Sequence, residues 1–105
     1  MSSIAKTPKP PYYAVIFSNL LADEAKGYEG MAEKMASLAQ LQPGYLGIES
    51  VREELGLTIS YWADLQAIKN WKANVEHQVA QKLGKDHWYK AYKVRIAKIE
   101  RDYEL

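Results

Sequence analysis

A chain of 105 residues, 48% hydrophobic and 26% charged, has the make-up of one folded domain and excludes a disordered polymer. Fourteen lysines and arginines against thirteen aspartates and glutamates leave a net charge of +1, without the gathered positive charge that a phosphate-backbone binder needs. Cysteine is absent, which excludes disulfides, thiolate nucleophiles, thiolate metal sites and covalent haem attachment, and no segment approaches the ~20 apolar residues of a membrane span. A cytoplasmic protein with neither nucleic acid nor membrane as partner is the expectation.

Residues 1–11 hold three prolines and little that can be buried, and read as a flexible N-terminal arm ahead of a single domain over residues 12–105. "YYAVIFS", residues 12–18, is β-branched and aromatic and predicts a central strand, with Asn19 following as a residue suited to cap a turn. Between Asp23 and Leu41 the apolar positions Tyr28, Met31, Met35 and Leu38 recur every three or four residues, the period of an amphipathic helix. Pro43 and Gly44 stop it.

"YLGIESVRE" and "LTISYW" predict a β-hairpin whose turn at Leu55-Gly56 uses a positive φ at the glycine. Asp64 is placed to N-cap a second helix carrying Leu65, Ile68, Trp71 and Val75, continuing through Val79 and Leu83 to a stop at Gly84. From Tyr89 to about Arg101, Tyr92, Val94 and Ile96 alternate with Lys93, Arg95 and Ala97, as in a strand.

The order β-α-β-β-α-β predicts an α+β ferredoxin-like domain, a four-stranded antiparallel sheet with two helices on one face. The first strand is apolar on both faces, Tyr13, Val15 and Phe17 against Tyr12, Ala14 and Ile16, so the uncovered face is expected to be an interface. The last strand, at roughly 40 Å, is longer than so small a domain needs. Two sheets closing face to face into a homodimer around a cavity follow from these features.

The blocks "QPGYLGIES", "ISYW", "AIKNW", "EHQVAQKLG" and "WYKAYKVRIAKIER" resemble the antibiotic-biosynthesis monooxygenase (ABM) family of dimeric α/β barrels, over about residues 12–103. The resemblance implies a pocket between sheet and helices. It also implies oxidation of a small planar aromatic, phenol- or quinol-like, with molecular oxygen and no cofactor or metal. The alternative is a non-catalytic small-ligand-binding or stress-associated dimer of the same fold.

A haem-degrading branch of the family carries an Asn near the end of strand one, a Trp on the second helix and a His ten residues further on. Asn19 and Trp71 match the first two, but Gln81 occupies the third place, and a glutamine supplies no axial imidazole. His77, six residues after Trp71, points about 120° away on a continuous helix.

For cofactor-free oxygenation the candidate catalytic residues are Asn19, Trp71, His77 and Arg95. By resemblance Asn19 and Trp71 hydrogen-bond the substrate or a peroxy species, and Arg95 stabilises a phenolate from the last strand. Each has a structural rival: a turn for Asn19, core packing for Trp71, a solvated helix surface for His77, solvent or a dimer ion pair for Arg95. His77 and His87, ten apart with no third ligand, lack metal-site spacing. Trp88, Tyr89 and Tyr92 form an aromatic cluster able to line a pocket for a planar ligand or to pack an interface.

Overall fold

Strand β1 (Tyr12–Leu21) is followed by helix α1 (Tyr28–Gln40), β2 (Tyr45–Arg52), β3 (Gly56–Trp62), α2 (Leu65–Lys82) and β4 (Tyr89–Ile99). The computed structural model describes residues 3–23, 25, 27–82 and 88–105, apart from the side chains of 77–82. The antiparallel sheet has the order β2-β3-β1-β4, the ferredoxin-like arrangement expected for this α+β domain. The stop expected at Gly84 lies outside the described residues.

β1 is central because both its faces are apolar, and it runs three residues past the expected 12–18. Asn19 is therefore inside the strand, opposite Gly56 on β3 and Tyr92 on β4, and not in a turn. Cross-strand partners on both sides override the weak strand propensity of asparagine. α1 starts at Tyr28, the first of its periodic apolar positions, because Gly27 sits at φ 79° in the left-handed region, which a right-handed helix does not continue.

The hairpin forms with its turn at residues 53–55, and Gly56 is already the first residue of β3; among the described residues only Gly27 and Gly44 take a positive φ. The absence of a side chain at Gly56 serves another purpose, described below. Gly44, at φ 85°, makes the turn after α1 and lets the chain pass Ala67, whose Cβ would lie 2.6 Å from a Cβ at this position.

Strand alternation sends Tyr13, Val15, Phe17 and Asn19 to the helical side, with Trp62, Ser60 and Thr58 beside them in register. The core closes there around Trp62, which has no exposed surface, with Ala39 of α1 and Ala67 and Ile68 of α2. Tyr45 meets Trp62 edge-on at 5.7 Å, Trp71 stacks on it at 5.8 Å and 26°, and its indole Nε1 donates to Ser60 Oγ at 2.9 Å. α2 is begun by Asp64, whose Oδ1 accepts from the Ala67 amide at 2.8 Å, as its N-cap position predicts.

On the other side of the sheet the arm touches the strands. The Ala5 amide donates to Glu49 Oε2 at 3.0 Å, Tyr61 donates to Glu49 Oε1 at 2.6 Å, and Thr7 donates to the Tyr12 hydroxyl, which donates to Asp102 Oδ2. A Cβ at Gly47 would lie 2.8 Å from Ala5 Cβ, so β2 admits the arm at this point only through a glycine. Along β4 the helical layer ends: Tyr92, Val94 and Ile96 face the helical side but are 58%, 49% and 54% exposed.

Trp62 is the largest fully buried side chain, so Trp62→Ala removes an indole from the contact of sheet with both helices. Chemical denaturation is expected to show a loss of about 3–5 kcal/mol; a loss below 1 kcal/mol would contradict the central packing role.

Candidate functional site

Six residues beyond Tyr13, the register partner of Trp62, and so about 20 Å along β1 at ~3.3 Å per residue, the same face of the sheet changes character. Asn19 is 2% exposed, and its Nδ2 has no hydrogen-bond partner among the described residues. A buried amide N–H left without an acceptor costs about 1–3 kcal/mol.

The carbonyl half of the same amide is engaged. Arg52, the last residue of β2, sends Nη2 to Asn19 Oδ1 and, at 3.2 Å, to the Tyr28 hydroxyl, with its guanidinium carbon 5.2 Å from the Tyr28 ring centre. Between Arg52 and Asn19 lies Gly56. A Cβ there would collide with the guanidinium, and the three atoms nearest to it all belong to Arg52. The glycine thus opens the lane by which an exposed cation reaches a buried amide.

Aromatic rings complete the surroundings. Phe17 meets Tyr89 at 5.3 Å and Tyr92 at 5.8 Å, and Tyr28 meets Tyr89 at 5.6 Å and the buried Trp88 at 6.5 Å. Simple alternation would put Tyr89 and Tyr92 on opposite faces, three residues apart. An irregularity in the β1–β4 register between Leu20 and Leu21 pairs Leu21 with Tyr89, and the Ala22 amide donates to the Trp88 carbonyl at 2.8 Å. The bulge turns Tyr89 onto the face of Phe17 and Tyr92, the re-aiming that bulges perform beside functional sites.

Burial pushes the Tyr89 hydroxyl well above the ordinary tyrosine range; the neighbouring Tyr28 hydroxyl adds to this and the Arg52 charge opposes it. On the opposite face burial, then Glu49, raises Tyr61 likewise. Beside Tyr28 and Arg52 an open cleft of about 660 Å³ runs along the first turns of α1, with Leu21, Gly27 and Gly30 in its wall.

Of the residues singled out from the sequence, Asn19 is at this end of the sheet. Trp71 belongs to the core cluster on Trp62. Arg95 is exposed and pairs with Ile16, so it faces the side away from Asn19. His77 lies within α2 with its side chain outside the described residues, and His87 lies outside them altogether. No group of three potential metal ligands occurs among the described residues, and none of the described helices is long and apolar enough to cross a membrane.

Arg52 escaped the sequence reading. Its signal was in the hairpin register: with the turn at residues 53–55, Arg52 opposes Gly56, which opposes Asn19, so all three share one face.

The family model for antibiotic biosynthesis monooxygenases matches residues 11–83. The chain is 50% identical over 103 residues to the uncharacterized protein YqjZ of Bacillus subtilis, covering 96% of this chain and 90% of that one. Among solved structures it resembles PA3566 of Pseudomonas aeruginosa, with TM-score 0.69 and 18% identity over 91% of this chain and 99% of that one. It also resembles SnoaB, a cofactor-independent oxygenase of Streptomyces nogalater, with TM-score 0.69 and 13% identity over 89% and 97%. At these identities the two structures speak for the fold alone.

Because the folded protein favours the neutral Tyr89 hydroxyl, its contribution is complete below the unfolded value of about 10 and is lost as pH rises beyond it towards the folded value. Tyr89→Phe should therefore flatten the fall of stability above pH ~10, by up to about 1.4 kcal/mol per pH unit, and leave the neutral range without a new slope. Urea midpoints across that range for both proteins check this.

Proposed function

The chain belongs to the antibiotic biosynthesis monooxygenase family, and on that premise we propose that it is a cofactor-independent monooxygenase acting on a small planar phenol or quinol. The reaction takes place in this reading where β1, the start of α1 and the start of β4 converge. The observation that carries it is the buried Asn19 amide with its unpartnered Nδ2 next to a cluster of aromatic rings. The description of the Streptomyces nogalater protein of this fold as a cofactor-independent oxygenase supports it.

In such chemistry the substrate supplies the electrons. Its phenol loses a proton, the electron-rich ring reduces oxygen, and the two recombine at carbon as a peroxide. Cleavage of the O–O bond leaves one oxygen as a new carbonyl, while the other departs as water with the proton that the phenol lost and the single hydrogen that the ring carbon carried. Asn19 Nδ2 is the donor to the anionic oxygen that develops along this path, which a preorganised buried N–H stabilises more in the transition state than in the ground state. A cytoplasmic location is part of the proposal, in keeping with a cysteine-free chain.

Two copies acting together complete the reading. β4 is an edge strand of 11 residues with Tyr92, Val94 and Ile96 half exposed, an arrangement that invites burial by a second copy. Sedimentation at micromolar concentration is expected to give twice the chain mass; a single-chain mass would remove the dimer.

Oxygen uptake with a panel of hydroquinones and anthrones tests the activity. Asn19→Ala is expected to lower the rate about a hundredfold with the fold kept. Trp71→Phe preserves an aromatic ring against Trp62 but removes the indole N–H, and so separates a hydrogen-bonding role from packing. No protein-dependent uptake across the panel, or equal uptake by Asn19→Ala, would defeat the enzymatic reading.

A further inference from the structure

Arg52 differs from an ordinary surface cation in how it is held. Both of its hydrogen bonds among the described residues go through Nη2, to Asn19 and to Tyr28, and neither partner is a carboxylate. Nη1 and Nε are left for another acceptor, on a side chain that is solvent-accessible and lines the open cleft. The arrangement costs the sheet a side chain at Gly56 and brings the cation to an amide that is itself half-satisfied. A guanidinium held through Nη2, with Nη1 and Nε free among the described residues and the Tyr28 ring beside it, is preorganised for a flat anion.

Resting on the reaction site proposed at this end of the sheet, we propose that Arg52, in the wall of the adjoining cleft, is its charge-recognition group. The ligand is a planar aromatic with an ionised oxygen, a carboxylate or a phenolate, bound by the guanidinium beside the Tyr28 ring. Asn19 and Gly56 are positioning residues: one anchors Nη2, and the other leaves the space the guanidinium occupies. Arg95, on the opposite face of the sheet, takes no part in this recognition.

The neighbouring geometry sets the ligand's shape as well as its charge. The Tyr28 ring lines the cleft with its centre 5.2 Å from the guanidinium carbon, and so offers a flat ligand ring an aromatic neighbour beside the cation. Glu29 and Glu33 of α1 also line the cleft, so Arg52 is the one cation among its lining residues and the point in it at which an anion is favoured.

Calorimetric titration of the full-length chain without oxygen tests this, using naphthoate, para-nitrophenolate at a pH where it is ionised, and neutral naphthamide. At least one anion is expected to bind about tenfold or more tightly than the amide, with the difference shrinking as salt is added. Stronger binding of naphthoate names a carboxylate as the group recognised, and stronger binding of nitrophenolate names a phenolate. The preference should vanish in Arg52→Gln and weaken in Gly56→Ala, whose new Cβ would displace the Arg52 guanidinium, its nearest neighbour.

Equal affinity for naphthamide, an anion preference unchanged in Arg52→Gln, or no binding of either anion would overturn the assignment. Should Gly56→Ala fail to fold, Arg52→Gln decides alone, since that side chain is exposed. Binding without oxygen separates the two ideas. An Arg52-dependent anion preference with no oxygen uptake leaves the charge site standing and sinks only the oxygenase, whereas uptake without anion preference does the reverse.

Discussion

Trp62 is the contact on which the layered structure rests. It is the point at which the central part of the sheet, α1 through Ala39 and α2 through Ala67 and Ile68 meet without exposed surface. Burial of so large a ring, with its one polar atom satisfied by Ser60 two residues away, joins both helices to one end of β3. The other end of the same face is built differently, from a polar amide, a cation and rings in edge contact. A domain of this size has one core to close, and it closes at Trp62, away from the Asn19 end.

The contrast between the two ends has an energetic side. At the Trp62 end nearly every group is apolar or paired, which is what stability requires. At the Asn19 end, among the described residues, a donor is buried without an acceptor and a guanidinium hydrogen-bonds to neutral partners. Departures of this kind cost stability and persist where a ligand restores the missing partner. The bulge at Leu20 and Leu21 belongs to the same set, since it disturbs the sheet ladder in order to aim Tyr89.

The open side of the sheet adds a further element. Glu49 accepts from both the Ala5 amide and the Tyr61 hydroxyl, and Tyr12 links Thr7 to Asp102, so both ends of the chain meet on the strands there.

Element order, the α+β class, the Asp64 cap and the turn at Gly44 could be read from residues in sequence, because periodicity, caps and glycine turns are local properties. Of the site, Asn19 and the aromatic run at Trp88, Tyr89 and Tyr92 were legible as residue types. Their arrangement was not: the length of β1 depends on partners far along the chain, the face of Tyr89 on a bulge, and the reach of Arg52 on a glycine in the next strand. Sequence by itself determined which segments are strands and helices and which family the chain resembles. Only the tertiary structure decided that Arg52, and not Arg95, stands beside Asn19, because strand register sets which side chains share a face and register is fixed by long-range pairing.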